Sequence, residues 1–283
     1  MPTARRDHVV VTGAAGFIGS HLAERLLVAG HDVTGLDSFY YRGCDLLSEG
    51  EATSPPASAL ALDIRDVVPR HLEGQDAVIH LAALSNDPLG EVNTKWTAEI
   101  NLGGTLRLAR AAKEAGVPRF VFASSCSMYG AAADDAPLTE EAPLRPLTAY
   151  AESKVKAEGE LTLLADADFA PVYMRNATAY GVSPRLRLDV VLNNLVGWGF
   201  TTGKIRMLSD GTPWRPLVHV RDIAKTALQL LDAPADVVGD QAFNVGRDDE
   251  NYQVSELAET VRRALPNCRI EYASDAGPDP RSY

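Results

Sequence analysis

Cysteine is scarce in this chain: 283 residues carry three, Cys44, Cys126 and Cys268. An odd number without metal-ligand spacing argues against a disulfide scaffold or a zinc site, and fits a reduced, cytosolic setting. Long apolar runs are missing too. None approaches the ~20 residues a helix needs to span a bilayer. The opening Met1-Pro-Thr-Ala-Arg-Arg-Asp-His8 has two arginines but no apolar signal core behind them. Positive charge is in deficit: 27 Lys and Arg face 38 Asp and Glu, for a net charge of −11. That balance argues against nucleic acid or an anionic membrane as main partner. There is no internal repeat and no low-complexity tract. What remains is a soluble globular chain, able to bury one large core or one core with a smaller lobe.

The most informative stretch is His8 to Asp37. Val9 to Val11 is short, apolar and β-branched, as a buried parallel strand should be. Gly13, Gly16 and Gly19 follow, then apolar residues at helical spacing (Phe17, Ile18, Leu22, Leu26, Leu27) up to a capping Gly30. A second strand, Val33 to Leu36, ends in Asp37. A strand, glycine turn, helix and strand with an acid at its tip suit a dinucleotide. Gly13 permits the turn, Gly16 admits the pyrophosphate, Gly19 lets the helix pack closely, and the helix start faces the phosphates. Asp37 can accept from the ribose hydroxyls and would repel a 2′-phosphate, which favours NAD over NADP. Arg42 is the neighbour able to blunt that preference.

Further on, residues 40–57 predict a polar surface loop punctuated by Pro55 and Pro56. Short strands are expected at Ala59–Leu62 and Ala77–Ala83. Asp63, just after the first of these, either reaches an adenine amino group or caps the helical turn from Arg65. A long helix is expected over Asn93–Ala115, with Asn101 bonding a neighbouring strand, then a strand at Arg119–Ala123 that delivers Ser124 to Gly130 to the crevice. A helix opens near Thr148 and a sixth strand covers Pro171–Met174. This alternation predicts an α/β fold with a Rossmann-type, doubly wound parallel sheet. After residue 176 the pattern loosens, with helices around 190–200, 222–231 and 254–265 and strands at 217–220, 241–245 and 269–272. The expected division is a nucleotide-binding domain of 1–176 plus about 217–246, and a smaller substrate lobe of 177–216 plus 247–283.

Tyr150 and Lys154 lie four apart on the predicted helix, hence on one face. A nearby ammonium favours phenolate over phenol, which makes Tyr150 a general base for a substrate hydroxyl. Lys154 can also hold the nicotinamide ribose. A Tyr packed under a Lys stem is the ordinary alternative. Its position after the fifth strand, with serines just upstream, favours chemistry.

These stretches resemble the extended short-chain dehydrogenase/reductase family, in particular its NAD-dependent nucleotide-sugar epimerases and dehydratases. The matching segments are Thr12 to Gly19, His80 to Ala83, Ser124-Ser125 with Tyr129-Gly130, Tyr150 with Lys154, and Arg215 to Asp222. The resemblance implies a substrate that is a nucleotide-diphosphate sugar and hydride transfer, usually from C4, to tightly held NAD. Ser125 would hold the reacting hydroxyl beside Tyr150 and Lys154. The NAD contacts it implies are Gly13, Ala15, Gly16, Phe17, Ile18, Gly19, Asp37, Ser38, Asp63, Ile64, Leu81, Ala82, Ala83 and Ser85, with Tyr150 and Lys154. Asn194, Leu195 and Arg215, with Arg281, would meet the nucleotide diphosphate. Thr178 stands where relatives often carry Asn, leaving Asn176 and Thr178 as candidates for the sugar. The resemblance also implies a homodimer through the helices at 93–115 and 148–165.

Departures from the family pattern narrow the subclass. Dehydratases carry Asp-Glu after the catalytic Ser or Thr, but here Cys126 and Ser127 follow Ser125. With no carboxylate there, epimerisation is favoured over dehydration, unless the Cys126 thiol serves as an acid. Decarboxylation, 4-keto reduction and a non-catalytic NAD-binding regulator are the alternatives. Ser85 replaces a Lys found in some hexose epimerases, so the sugar need not be galactose. Relatives also continue beyond Asp279-Pro-Arg-Ser-Tyr283, so the substrate lobe is expected to be cut short.

Overall fold

The computed structural model describes residues 6–44, 46, 58–85, 87–131, 137–279, 281 and 282. Most of the loop expected over 40–57, and the first five residues, lie outside these. Among the described residues, twelve strands form three sheets: β1 His8–Thr12, β2 Asp32–Asp37, β3 Ser58–Ala61, β4 Ala77–His80, β5 Arg119–Ser125, β6 Ala170–Asn176, β7 Thr178–Tyr180, β8 Lys204–Ser209, β9 Trp214–His219, β10 Ala242–Val245, β11 Asn251–Gln253 and β12 Arg269–Gly277. The main sheet runs β10-β6-β5-β4-β1-β2-β3 with every pairing parallel. Strand order reverses between β1 and β4, where an open α/β sheet leaves a crevice at its carboxyl ends.

Period-two alternation explains the layering. Val9, Val11, Ile79, Val121, Val172 and Met174 face one side, under α1 (Gly19–Ala29). Val10, Val78, Phe120, Phe122 and Tyr173 face the other. That side is covered by a helix broken into α2 (Asp87–Val92), α3 (Thr94–Thr97), a π-helical stretch (Ala98–Gly104) and α4 (Thr105–Glu114), and by α5 (Ala149–Thr162). Ala109, Ala111 and Ala112 of α4 are buried in the protomer's own core. The helix expected to be continuous over 93–115 is interrupted for a reason. Its π turn carries Asn101, whose amide accepts from the Leu84 N–H at 2.8 Å and donates to the Leu84 carbonyl at 3.0 Å. A π-bulge of this kind turns one side chain out of the regular helical register.

The later segments are α6 (Val191–Thr202), α7 (Val220–Asp232), α8 (Ala235–Val238) and α9 (Val254–Ala264). Ile223, Ala227 and Leu230 of α7 return to the first face of the main sheet, whereas β9 is the middle strand of a three-stranded sheet β11-β9-β7. The third sheet pairs β12 with β8. Leu195, Ile205, Met207, Leu217, Leu257 and Val261 form the separate core of this lobe. No helix among the described residues is long and apolar enough to cross a membrane.

Candidate active site

A cleft of about 1310 Å³ lies at the carboxyl ends of the main strands, between the sheet and the lobe. Small-molecule pockets typically measure roughly 300–1,000 Å³, so this cleft exceeds the usual single-ligand site. Its floor is the glycine loop. Gly13 has φ +70° and donates its N–H to Leu36 O at 2.8 Å. A Cβ there would stand 2.9 Å from the Ala82 nitrogen. One at Gly19 would lie 2.0 Å from the Gly13 oxygen. The loop therefore closes onto the β4 end with no space for side chains, and backbone is left facing the cleft. Gly16, Phe17, Ile18 and Gly19 line it.

The Asp37 carboxylate is braced by the loop itself, accepting from the Ala15 N–H at 3.0 Å and the Phe39 N–H at 2.8 Å. Asp37 and Ser38 line the cleft, while Ala15 meets it only through this bond to Asp37. Arg42 lies over the Phe39 ring at 5.2 Å and is not part of the lining. A dinucleotide with an unphosphorylated ribose thus fits the residues present.

Asp63 takes the capping alternative. It accepts from the Arg65 N–H at 2.9 Å and pairs with the Arg65 side chain at 2.8 Å. The Arg65 bond outweighs the cost of burial and holds the Asp63 carboxyl below its usual range. It lines the cleft with Ile64, so the cap and the cleft share one side chain.

Leu81, Ala82, Ala83 and Ser85 form the next wall. Their path is set by Thr12, whose hydroxyl oxygen accepts from the Leu81 and Ala82 N–H groups, each at 3.2 Å. His80 bridges Thr12 at 2.6 Å and Thr105 at 2.8 Å. Thr105 gives its proton to Asn101 O, so Nε2 of His80 must donate to Thr105 and Nδ1 accept from Thr12. Burial, then the Lys154 charge, push His80 down to about 3. It is a neutral structural histidine.

Ser125, Tyr150 and Lys154 all line this cleft. Ser125 closes β5 and caps the turn Cys126–Tyr129, accepting from the Ser127 N–H at 3.2 Å, with the two hydroxyls 2.9 Å apart. Tyr150 sits in the first turn of α5, which Thr148 caps by accepting from the Ala151 N–H. Lys154 is 3% exposed. Its Nζ donates to Ala123 O at 2.6 Å and stands 5.7 Å from the Tyr150 ring centre. Burial pushes the ammonium down to about 7, opposed by the Glu158 charge.

That displacement has a stability consequence. The unfolded chain keeps this proton to about 10.5, so between about 7 and 10.5 it binds more protons than the folded chain. Stability from this group rises with pH across that window, and below it the full burial cost stands. Lys154→Met is expected to unfold at higher temperature than the wild type at pH 6, and the margin should shrink toward pH 10. A variant less stable at pH 6 would show that the ammonium is not held at a cost.

The Cys126 thiol, an acid candidate from sequence, is held away from the cleft. It is 7% exposed, donates to Arg175 O at 3.1 Å and does not line the cleft. Burial pushes it up to about 12, so it is a poor proton donor. Ser127 lines the cleft instead. Behind the turn, Arg175 pairs with Glu158 at 2.7 Å and donates to the Tyr129 hydroxyl at 3.1 Å.

On the lobe side, Thr178, Asn194, Leu195, Arg215 and Arg281 line the cleft. Asn194 donates to Leu188 O at 2.8 Å. Arg215 and Arg281 share Asp279, at 3.0 and 2.7 Å. Sequence did not single out Asp279, nor the segment Arg185-Leu-Arg-Leu-Asp189. Arg187 pairs with Asp189 at 2.5 Å and donates to the Ser85 hydroxyl at 2.8 Å, so the segment crosses the cleft mouth. Its charge density after a strand was the available signal.

The family model for the NAD dependent epimerase/dehydratase family matches residues 9–246. The UDP-glucose 4-epimerase of Bacillus subtilis is 30% identical over 280 residues, which cover 90% of this chain and 81% of that one. UDP-glucuronic acid decarboxylase 1 of Arabidopsis thaliana is 31% identical, covering 98% and 62%. Among solved structures, MoeE5 in complex with UDP-glucuronic acid and NAD aligns with a TM-score of 0.84 at 28% identity, over 97% of this chain and 88% of that one. With its parallel sheet, reversed strand order and glycine-floored cleft, the chain belongs to the NAD-dependent epimerase/dehydratase family of enzymes, and its cofactor is NAD.

Proposed function

We propose that this enzyme is a nucleotide-sugar epimerase working through transient oxidation of the sugar at C4. The observation that carries this is that Ser125, Tyr150 and Lys154 line one cleft, Lys154 5.7 Å from the Tyr150 ring centre, with no carboxylate at the two positions after Ser125. NAD, when bound, supplies the hydride acceptor and donor. Ser125 orients the sugar hydroxyl and Tyr150 removes its proton. Lys154, buried within reach of the Tyr150 ring, lowers the cost of the phenolate. The buried Glu158–Arg175 pair fixes α5 against β6 and so holds that geometry. Epimerisation needs nothing more, whereas eliminating water needs a further acid and base that Cys126, turned away, does not provide. Arg215 and Arg281 are assigned the diphosphate.

The test is to mix purified protein with NAD+ and a panel of UDP-, dTDP- and GDP-hexoses and follow products by NMR. A C4 epimer without net NADH is expected. Stoichiometric NADH would point to a net oxidoreductase, carbon dioxide from a uronic acid to a decarboxylase, and no turnover of any sugar to a non-catalytic NAD-binding protein.

A further inference from the structure

We infer that Asn176 accepts a hydrogen bond from a sugar hydroxyl next to the one held by Ser125, and so selects which hexoses the cleft takes. This deepens the epimerase reading and rests on it. Asn176 ends β6 and is the direct register partner of Ser125 on β5. Parallel neighbours lie roughly 4.8 Å apart, so the two side chains can meet groups of one ligand. The residue is 9% exposed and lines the cleft.

Its side chain is half satisfied. Nδ2 donates to Ser124 O at 3.4 Å, and the carbonyl fixes which amide atom is the nitrogen. Oδ1 is shut off from water and has no hydrogen-bond partner in the protein. Structural asparagines in the same chain look different. Asn101 uses both amide ends on Leu84, and Asn193 uses both on Gly181. A buried acceptor without a donor carries its full desolvation cost, so it is retained where a donor arrives with a ligand. Presenting Oδ1 to the cleft requires the amide to turn about its last side-chain bond and give up the Nδ2 bond to Ser124 O, which at 3.4 Å is long and weak.

The chemistry limits the ligand group. An amide oxygen takes O–H or N–H and repels phosphate and carboxylate oxygens, so the nucleotide diphosphate is excluded from this spot. A hydroxyl beside the oxidised carbon is the donor the neighbouring Ser125 brings within reach. The carboxamide N–H of the cofactor is the rival donor.

The experiment compares the NAD-loaded wild type with Asn176→Leu, which keeps the shape without the acceptor, and with Asn176→Ala. Calorimetry measures binding of UDP, UDP-glucose and the 3-deoxy and 6-deoxy forms of UDP-glucose. The wild type is expected to bind UDP-glucose about ten-fold or more tightly than one deoxy form. Both variants should lose that difference, bind UDP as the wild type does and keep their NAD. Asn176→Leu should unfold no earlier than the wild type, since it removes an unpaired acceptor. Retained discrimination in the variants overturns the assignment alone, and so does loss of NAD with discrimination intact, which would give Oδ1 to the carboxamide. If the wild type binds none of the UDP-, dTDP- and GDP-hexoses of the panel above, the epimerase reading falls and this assignment with it.

Discussion

Tyr150→Phe is expected to lower turnover of a nucleotide sugar by about 10²–10⁴-fold, the usual worth of a positioned general base. NAD and the sugar nucleotide should still bind, because the ring keeps its place in the first turn of α5 and only the hydroxyl is lost. The neighbouring Lys154, tied to Ala123 O rather than to the phenol, keeps its anchor. A loss in kcat with KM little changed is the pattern of an interaction made in the transition state. Rates followed by NMR, with bound NAD measured after release by acid, separate the outcomes. Activity within about ten-fold of wild type would place the base elsewhere in the cleft.

Gly19→Ala should abolish NAD retention and lower stability. The added methyl would stand 2.0 Å from the Gly13 oxygen and 2.8 Å from the Ala14 Cα. Both are backbone, so neither can swing aside as a side-chain tip would. Either α1 lifts from the loop or the Gly13 turn opens, and each moves the helix start away from the phosphates it should face. Overpacking a rigid site costs about 1–3 kcal/mol or more. Gly159→Ala is the control. It lies in α5 with nothing within 4 Å of the added Cβ, and helix propensity alone should raise stability by about 0.5–1 kcal/mol. Thermal unfolding and NAD content after dialysis read both variants. If Gly19→Ala retained NAD and matched the control in stability, the close approach at the loop would not matter for binding.

Much of the main sheet was legible because its signals are local. β1, the glycine loop, α1 and β2 follow one another within thirty residues, and each has its own pattern: β-branched strand, glycine spacing, apolar stripe, acid at the tip. Where signals were short, legibility fell. β8 alternates buried Ile205 and Met207 with exposed Lys204 and Arg206, a period-two pattern hidden by the loose stretch around it. The π turn at Ala98–Gly104, inside the helix expected from Asn93, was also invisible, since it is favoured by what Asn101 reaches rather than by its neighbours in sequence.

The sequence by itself determined the doubly wound sheet, the NAD loop and the grouping of Ser125, Tyr150 and Lys154 as one candidate set. Only the tertiary structure decided which way each remaining polar group points. It turned Cys126 toward the Arg175 carbonyl, gave Asp63 to Arg65, bound Arg215 and Arg281 to a shared Asp279, and left the Asn176 oxygen without a partner. The reason is physical. Apolar periodicity marks which face of an element is buried, because burial is non-directional and repeats along the chain. Hydrogen bonds and ion pairs are directional and here often join residues dozens of positions apart, so no local pattern records them until the chain is packed.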